Sequence, residues 1–205
     1  MTTVASNPLT LPVTGRDHIR GSAGAAVTLV QYGDYTCPRC NEARSVVKRL
    51  QTALGDRLRY AFRNFPIPGL HPHTHRAAEA AEAAGAQNKF WEMHELLYDH
   101  QGALSDKHLK VYGTQVGLDM ERFNRDMTLQ TFAVHVDEDV LSANQSGVST
   151  TPSFFINDSR YLGGCDFETL LSRIEEIIGD QSSGIQLTPS GQAMVDPPTS
   201  RANSQ

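Results

Sequence analysis

The feature that most constrains this chain is a pair of cysteines, Cys37-Pro-Arg-Cys40, at the junction of a predicted strand and a predicted helix. The run Ala26–Tyr32 is rich in β-branched residues, which favours a strand. Asn41–Leu54 carries apolar residues at helical spacing, so the helix begins at the cysteine pair. Pro38 suits the first helical turn, because its missing N–H would have no partner there. A strand that leads directly into a helix is typical of an α/β fold.

This junction favours a negatively charged sulfur at Cys37. The first turn of a helix presents unpaired N–H groups and the positive end of the helix dipole, and both stabilise an anion. We therefore expect the pKa of Cys37 to lie below the free-thiol value of about 8.5, with Arg39 adding a nearby positive charge. Cys40 follows one helical turn later and can close onto Cys37. The pair predicts thiol–disulfide exchange, in which Cys37 is the nucleophile and Cys40 resolves the mixed disulfide.

A cysteine pair at this spacing has two other interpretations. It can be half of a zinc site, but zinc needs about four ligands, usually with a second close pair. Cys165 has no such partner, and His71-Pro-His-Thr-His75 is the single histidine cluster of the sequence. We interpret those histidines as a loop that leads into a helix, and we expect no metal site. A purely structural disulfide is disfavoured, since so short a loop constrains the chain very little.

The predicted elements follow the order strand–helix–strand, several helices, then a hairpin and a last helix. Leu58–Phe65 alternates apolar and polar residues as a strand does, and Ser153–Asn157 is a compact apolar strand. Phe167–Gly179 carries the apolar stripe of a final helix. We predict an α/β fold with a helical insertion, divided into an irregular lead-in (1–20), the α/β domain (21–70 and 148–179), the insertion (71–147) and a disordered tail (180–205).

Composition and charge exclude several classes of protein. The 205 residues carry a net charge of −5, whereas a nucleic-acid binder is more often basic. No apolar run approaches the roughly 20 residues of a membrane-spanning helix. Met1–Arg20 lacks a basic segment followed by an apolar one, so we expect no secretory signal and a cytoplasmic protein.

Pro152 stands directly before the apolar strand Ser153–Asn157. A proline is tolerated at the first residue of a strand, so it can be an ordinary loop residue. The more specific interpretation is a cis Thr151–Pro152 bond that holds a loop against the cysteine pair. Such a loop would offer backbone groups to an extended substrate chain.

Together these residues resemble the thioredoxin superfamily, and within it the DsbA-like thiol–disulfide oxidoreductases, over about residues 15–179. The likeness is greatest to DsbA-like domains that occur alone or attached to bacterial sodium/proton antiporters. The motifs that carry it are Asp17-His-Ile-Arg-Gly21, Val27–Tyr35 with Cys37-Pro-Arg-Cys40, Arg63-Asn-Phe-Pro66, His71-Pro-His73, Phe90-Trp-Glu-Met-His94 and Gly147–Asn157.

The resemblance implies a thioredoxin-like fold with an inserted helical domain. It implies that Cys37 is the nucleophile, that Cys40 is the resolving cysteine and that Pro152, after Thr151, is the cis-proline of the substrate-binding loop. It also implies that Pro38 and Arg39 tune the redox potential. The chain would exchange disulfides with protein thiols and be reset by a redox partner that the sequence does not identify; it needs no cofactor.

Two positions depart from the family pattern. Gln31 stands where the family often has a buried carboxylate, and a neutral amide cannot take a proton from Cys40. We therefore expect resolution by Cys40 to be slower or to rely on water. Cys165 is unexpected there, and we interpret it as a partly buried small hydrophobic residue; the alternative is a thiol that pairs with a client or a second chain.

Two other functions remain open at this point. A glutathione-dependent transferase or isomerase of the same fold is disfavoured by Cys40, which such relatives usually lack. A non-catalytic redox sensor or partner-binding module is favoured by the expected cytoplasmic location, where a cysteine pair is normally held reduced.

Overall fold

The computed structural model describes residues 8–67 and 73–183. Its strands are β1 (His18–Arg20), β2 (Val27–Gly33), β3 (Leu58–Asn64), β4 (Ser153–Ile156) and β5 (Ser159–Tyr161). Its α-helices are α1 (Pro38–Leu54), α2 (Thr74–Gly85), α3 (Phe90–Asp99), α4 (Asp106–Gln115), α5 (Met120–Leu129), α6 (Ala133–Gln145) and α7 (Phe167–Ser183). Helices α2 to α6 therefore follow one another between β3 and β4.

The strands form one mixed sheet in the order β1-β3-β2-β4-β5. β2 and β3 run parallel, with α1 as the crossover connection that parallel neighbours need, and the other pairs are antiparallel. The sheet is the centre of a thioredoxin-like α/β fold, which confirms the fold class expected from the sequence.

Apolar residues cover both faces of the sheet. Val27 and Leu29 of β2 belong to a core shared with α1, α3 and α7. Val30 and Tyr32 of the same strand belong to a second core with Ala143 of α6. The strand is therefore buried on both sides, which explains why its sequence reads as a nearly continuous apolar run.

The two ends of the chain differ from the sequence prediction. The lead-in predicted over residues 1–20 is not irregular throughout, because His18–Arg20 form β1 and Ile19 pairs with Ala61. A buried ion pair fixes this segment, with Arg63 Nε 2.7 Å from an oxygen of Asp17. At the other end α7 continues to Ser183, beyond the predicted start of the tail. Residues 1–7 and 184–205 lie outside the described residues.

We find no helix in the described parts of the chain that is both long enough and apolar enough to cross a bilayer.

Candidate active site

The sheet register brings the cysteine pair and the proline loop together. β4 pairs with β2 so that Ser153 lies opposite Tyr32. The residues just before Ser153 therefore face the loop that leads from β2 into α1. Cys37 Sγ lies 3.5 Å from the carbonyl oxygen of Thr151 across this gap.

Cys37 is the N-cap residue of α1 and Pro38 occupies the first turn, as the sequence predicted. The sulfur of Cys37 is partly exposed, and its pKa is lowered to about 5. The largest cause is a hydrogen bond with the thiol of Cys40; Thr151 and the N–H groups of Cys40 and Arg39 add to it, while burial opposes it. At neutral pH Cys37 is therefore a thiolate.

Cys40 has the opposite environment. It lies in the first turn of α1 and is fully buried in the core. Burial together with the neighbouring Cys37 raises its pKa far above that of a free thiol. The backbone N–H of Asp34 donates to its sulfur at 3.5 Å. The two sulfurs are free thiols, one charged and accessible and the other neutral and enclosed.

Thr151 and Pro152 form the opposite wall of the site. The Thr151–Pro152 peptide bond is cis. Thr151 is buried and presents its carbonyl oxygen to Cys37, and Ser153 Oγ donates to the carbonyl of Thr150 at 2.8 Å.

Arg39 acts differently from the sequence prediction. Its side chain is exposed, like that of Pro38. Its contribution to the lowered pKa of Cys37 comes through its backbone N–H. Its positive charge acts on Cys165 instead, where it partly opposes the rise in pKa that burial causes. The hydrogen bonds from Cys40 and Thr151 therefore lower the pKa of Cys37 most, and the N–H groups of the helix N-terminus add to them.

Gln31 is buried in the middle of β2. Its amide oxygen accepts a hydrogen bond from the hydroxyl of Tyr60 at 2.8 Å. Burial raises the pKa of Tyr60 well above its usual value, and Cys40 contributes to that rise. The position therefore carries a neutral hydrogen-bonded pair instead of an ionisable carboxylate.

Asp34 is the buried carboxylate closest in sequence to the cysteine pair. One oxygen accepts bonds from the N–H of Thr36 at 2.7 Å and from its hydroxyl at 2.6 Å. The hydroxyl of Thr74 donates to the same oxygen, and the N–H of Ile67 donates to the other at 3.2 Å. Asp34 thus joins the active-site loop to the end of β3 and the start of α2.

Gln101 contacts the active-site loop, which the sequence did not predict. It lies between α3 and α4, and its side-chain amide donates to the carbonyl of Tyr35 at 2.8 Å and to that of Cys37 at 2.9 Å. No local pattern marks it, because both partners lie far away in the chain.

Replacing Gln101 by alanine should lower the free energy of unfolding by about 1–2 kcal/mol, because two hydrogen bonds to a partly buried loop are lost. Chemical denaturation of Gln101→Ala against wild type measures this change. Gln115→Ala, at an exposed position of α4, is the matched control and should be neutral. An unchanged stability of Gln101→Ala would show that the loop does not depend on this contact.

Cys165 and the histidine cluster lie apart from the residues around Cys37. Cys165 is partly buried against the main core, and burial raises its pKa. In the histidine cluster, His75 Nδ1 lies 2.9 Å from a carboxylate oxygen of Glu79, and His71 lies outside the described residues.

A sheet of this topology, with a low-pKa cysteine at the start of α1 and a buried cysteine one turn later, is the arrangement of a thioredoxin-like fold. The thioredoxin family profile matches residues 13–176, and the chain therefore belongs to the thioredoxin family. Its fold is that of the DsbA-like thiol–disulfide oxidoreductases.

Solved structures of similar proteins have the same fold. A thioredoxin-like oxidoreductase from Silicibacter pomeroyi is 28% identical with a TM-score of 0.70, covering 83% of this chain and 94% of that one. The thiol-disulfide exchange protein alpha-DsbA2 from Wolbachia pipientis is 25% identical with a TM-score of 0.69, covering 78% and 87%. BdbD from Bacillus subtilis shares the fold, with a TM-score of 0.73 at 24% identity over 80% and 94%.

Curated relatives are named for a different activity. The Na(+)/H(+) antiporter NhaA 1 of Salinispora arenicola is 44% identical over 159 residues, which are 78% of this chain and 24% of the antiporter. The protein of the same name from Mycobacterium sp. (strain KMS) is 39% identical over 162 residues, 78% and 26% respectively. This chain thus spans about a quarter of the length of these relatives.

Proposed function

We propose that the chain is a thiol–disulfide oxidoreductase that exchanges disulfides with protein thiols through Cys37 and Cys40. The observation that carries the proposal is the asymmetry of the two sulfurs. Cys37 is partly exposed with a pKa of about 5, so it is the attacking thiolate, while Cys40 is buried with a raised pKa, so it reacts after Cys37.

The exchange takes place in two steps, in which atoms and electrons balance. The Cys37 thiolate attacks one sulfur of a partner disulfide, forms a mixed disulfide and releases the other partner sulfur as a thiolate. Cys40 then loses its proton, which leaves with the released thiol, and attacks Cys37 Sγ. The Cys37–Cys40 disulfide forms, the second partner thiol is released, and two electrons have passed from this chain to the partner. The reverse sequence oxidises a partner dithiol.

The loop at Thr151–Pro152 is suited to hold the partner during this exchange. The carbonyl of Thr151 lies against Cys37 Sγ, so an extended chain that pairs with this loop would place its own sulfur beside the nucleophile. We assign Thr151 and Pro152 the role of orienting a protein substrate.

Replacing Cys40 by serine should trap the first step. Cys40→Ser retains the nucleophile but cannot resolve the mixed disulfide, so we expect a covalent adduct with an oxidised client or with glutathione, in about equal amount to the enzyme. Non-reducing electrophoresis and intact mass measure the adduct, which a reductant should release.

The matched control is Cys165→Ser, which should turn over as wild type does and accumulate no adduct. If Cys40→Ser forms no adduct, or forms one through Cys165, the assigned order of attack is wrong. A wild-type chain that binds a partner without any redox turnover would instead favour the non-catalytic module.

A further inference from the structure

A second group of ionisable side chains lies where α2 and α6 approach the sheet. Glu82 on α2 and His135 and Asp139 on α6 each place a donor atom within 4.8 Å of the others; we call these three residues the Glu82 cluster. His135 and Asp139 are four residues apart, so they share one face of α6. The exchange steps at the cysteine pair use none of the three.

The carboxylates of this cluster are buried. Glu82 is 4% and Asp139 2% exposed, and two enclosed carboxylates require nearby positive charge. His18 Nε2 lies 2.7 Å and His135 Nε2 3.8 Å from the same oxygen of Glu82. The imidazole of His18 is held in place by stacking on Phe90, with ring centroids 3.4 Å apart.

Asn64 of β3 provides an independent sign of a missing ligand. Its side-chain N–H donates to Glu82 at 2.6 Å and its backbone N–H to Asp139 at 2.9 Å, so the residue lies against both carboxylates. Asn64 is 1% exposed, yet its amide oxygen has no hydrogen-bond partner among the described residues. A buried amide oxygen without a donor is costly, and it is also a competent metal ligand.

One cation already faces the cluster. Arg16 Nη1 lies 3.0 Å from Asp139 Oδ1, and its other terminal nitrogen pairs with the exposed Glu138. Arg16 therefore offsets the charge of Asp139. The side chains of His18 and His135, and not an arginine or lysine, lie beside the carboxylate of Glu82. An ionised carboxylate has about four acceptor sites, so Asp139 can keep this pairing and still bind a metal ion.

We propose that Glu82, His135 and Asp139 bind a divalent transition-metal ion of the zinc class, with His18 or the Asn64 amide oxygen as a further ligand. Mixed imidazole and carboxylate donors suit such an ion. A bound dication would offset the negative charge of the two buried carboxylates. From the sequence we expected no metal site. Glu82 and the pair His135 and Asp139 lie on helices far apart in the chain, so no local motif marks these ligands.

The site would join the helices between β3 and β4 to the sheet. Metal binding should therefore stabilise the folded chain, by a Tm rise of about 5–10 °C when free Zn²⁺ is a hundredfold above its dissociation constant. The experiment uses the full chain with Cys37→Ser, Cys40→Ser and Cys165→Ser, so that no thiolate competes for the ion. Thermal unfolding is recorded with a chelator, with Zn²⁺ and with Ca²⁺, and bound metal is counted by mass spectrometry.

The key variant is His135→Ala, since His135 is partly exposed and its removal leaves the core intact. We expect one Zn²⁺ per chain, with the Tm rise and the stoichiometry both lost in His135→Ala and in Glu82→Gln. The exposed His108, on α4, is the matched control, and His108→Ala should keep both. Absence of bound zinc overturns the proposal, and so does zinc or calcium binding that His135→Ala leaves unchanged. Because the variants lack the redox cysteines, either result is independent of the exchange activity.

Discussion

Cys37→Ser should reduce thiol–disulfide exchange to the uncatalysed background, a loss on the order of 10³-fold or more. A serine hydroxyl is not ionised at neutral pH and does not attack disulfides, so neither step of the exchange can begin. The assay is the reduction or oxidation of a dithiol peptide in a glutathione buffer, followed by mass spectrometry. Binding of a non-reactive partner peptide should be retained, because the Thr151–Pro152 loop is unchanged.

Cys165→Ser is again the control, and it should leave the rate within about twofold of wild type, since a thiol outside the site takes no part in either exchange step. Appreciable exchange in Cys37→Ser would mean that Cys40 or Cys165 attacks directly. That result would remove the basis for assigning roles from burial and pKa.

Asp34→Asn should give the largest loss of stability among substitutions near the site. Both oxygens of Asp34 accept hydrogen bonds, one from the N–H of Ile67 and the other from Thr36 and Thr74. The asparagine side chain has only one acceptor oxygen, so its NH₂ group would face one of these donors and leave it without an acceptor. We expect a loss of about 2–4 kcal/mol in the free energy of unfolding, seen as a fall of about 4–16 °C in Tm.

The matched control for this charge removal is Asp56→Asn, at an exposed position after α1, which should change Tm by no more than a degree or so, about the range of neutral surface substitutions. Equal Tm values for Asp34→Asn and wild type would show that the carboxylate does not hold the loop, β3 and α2 together.

The sequence predicts the parts of the site that depend on local patterns. A strand, a cysteine and a proline at the start of an amphipathic helix are consecutive in the chain, and a helix N-terminus predicts a lowered pKa for Cys37. The largest cause of the lowered pKa, the hydrogen bond with Cys40, adds to that local effect. Pro152 before an apolar strand is a local signal of the same kind. The fold class follows from the order of such segments and from the family resemblance.

Contacts between distant segments could not be predicted in this way. Asp34 takes its donors from the loop, from β3 and from α2, and Gln101 reaches carbonyls that lie more than one element away. The three-residue strand β1 is too short to show alternation, and it forms because β3 offers it a free edge. The exposed orientation of Arg39 likewise depends on how α1 sits on the sheet.

The assigned roles of the two cysteines are tested by titrating Cys37 in the reduced chain. Thiolate absorbance at 240 nm is recorded from pH 3 to 10 in the Cys165→Ser variant. We predict a rise equivalent to one thiolate with a midpoint near 5, absent in Cys37→Ser, with Cys40 still protonated at neutral pH. A single transition near the free-thiol value of about 8.5, involving both cysteines, would contradict the asymmetry on which the proposed function rests.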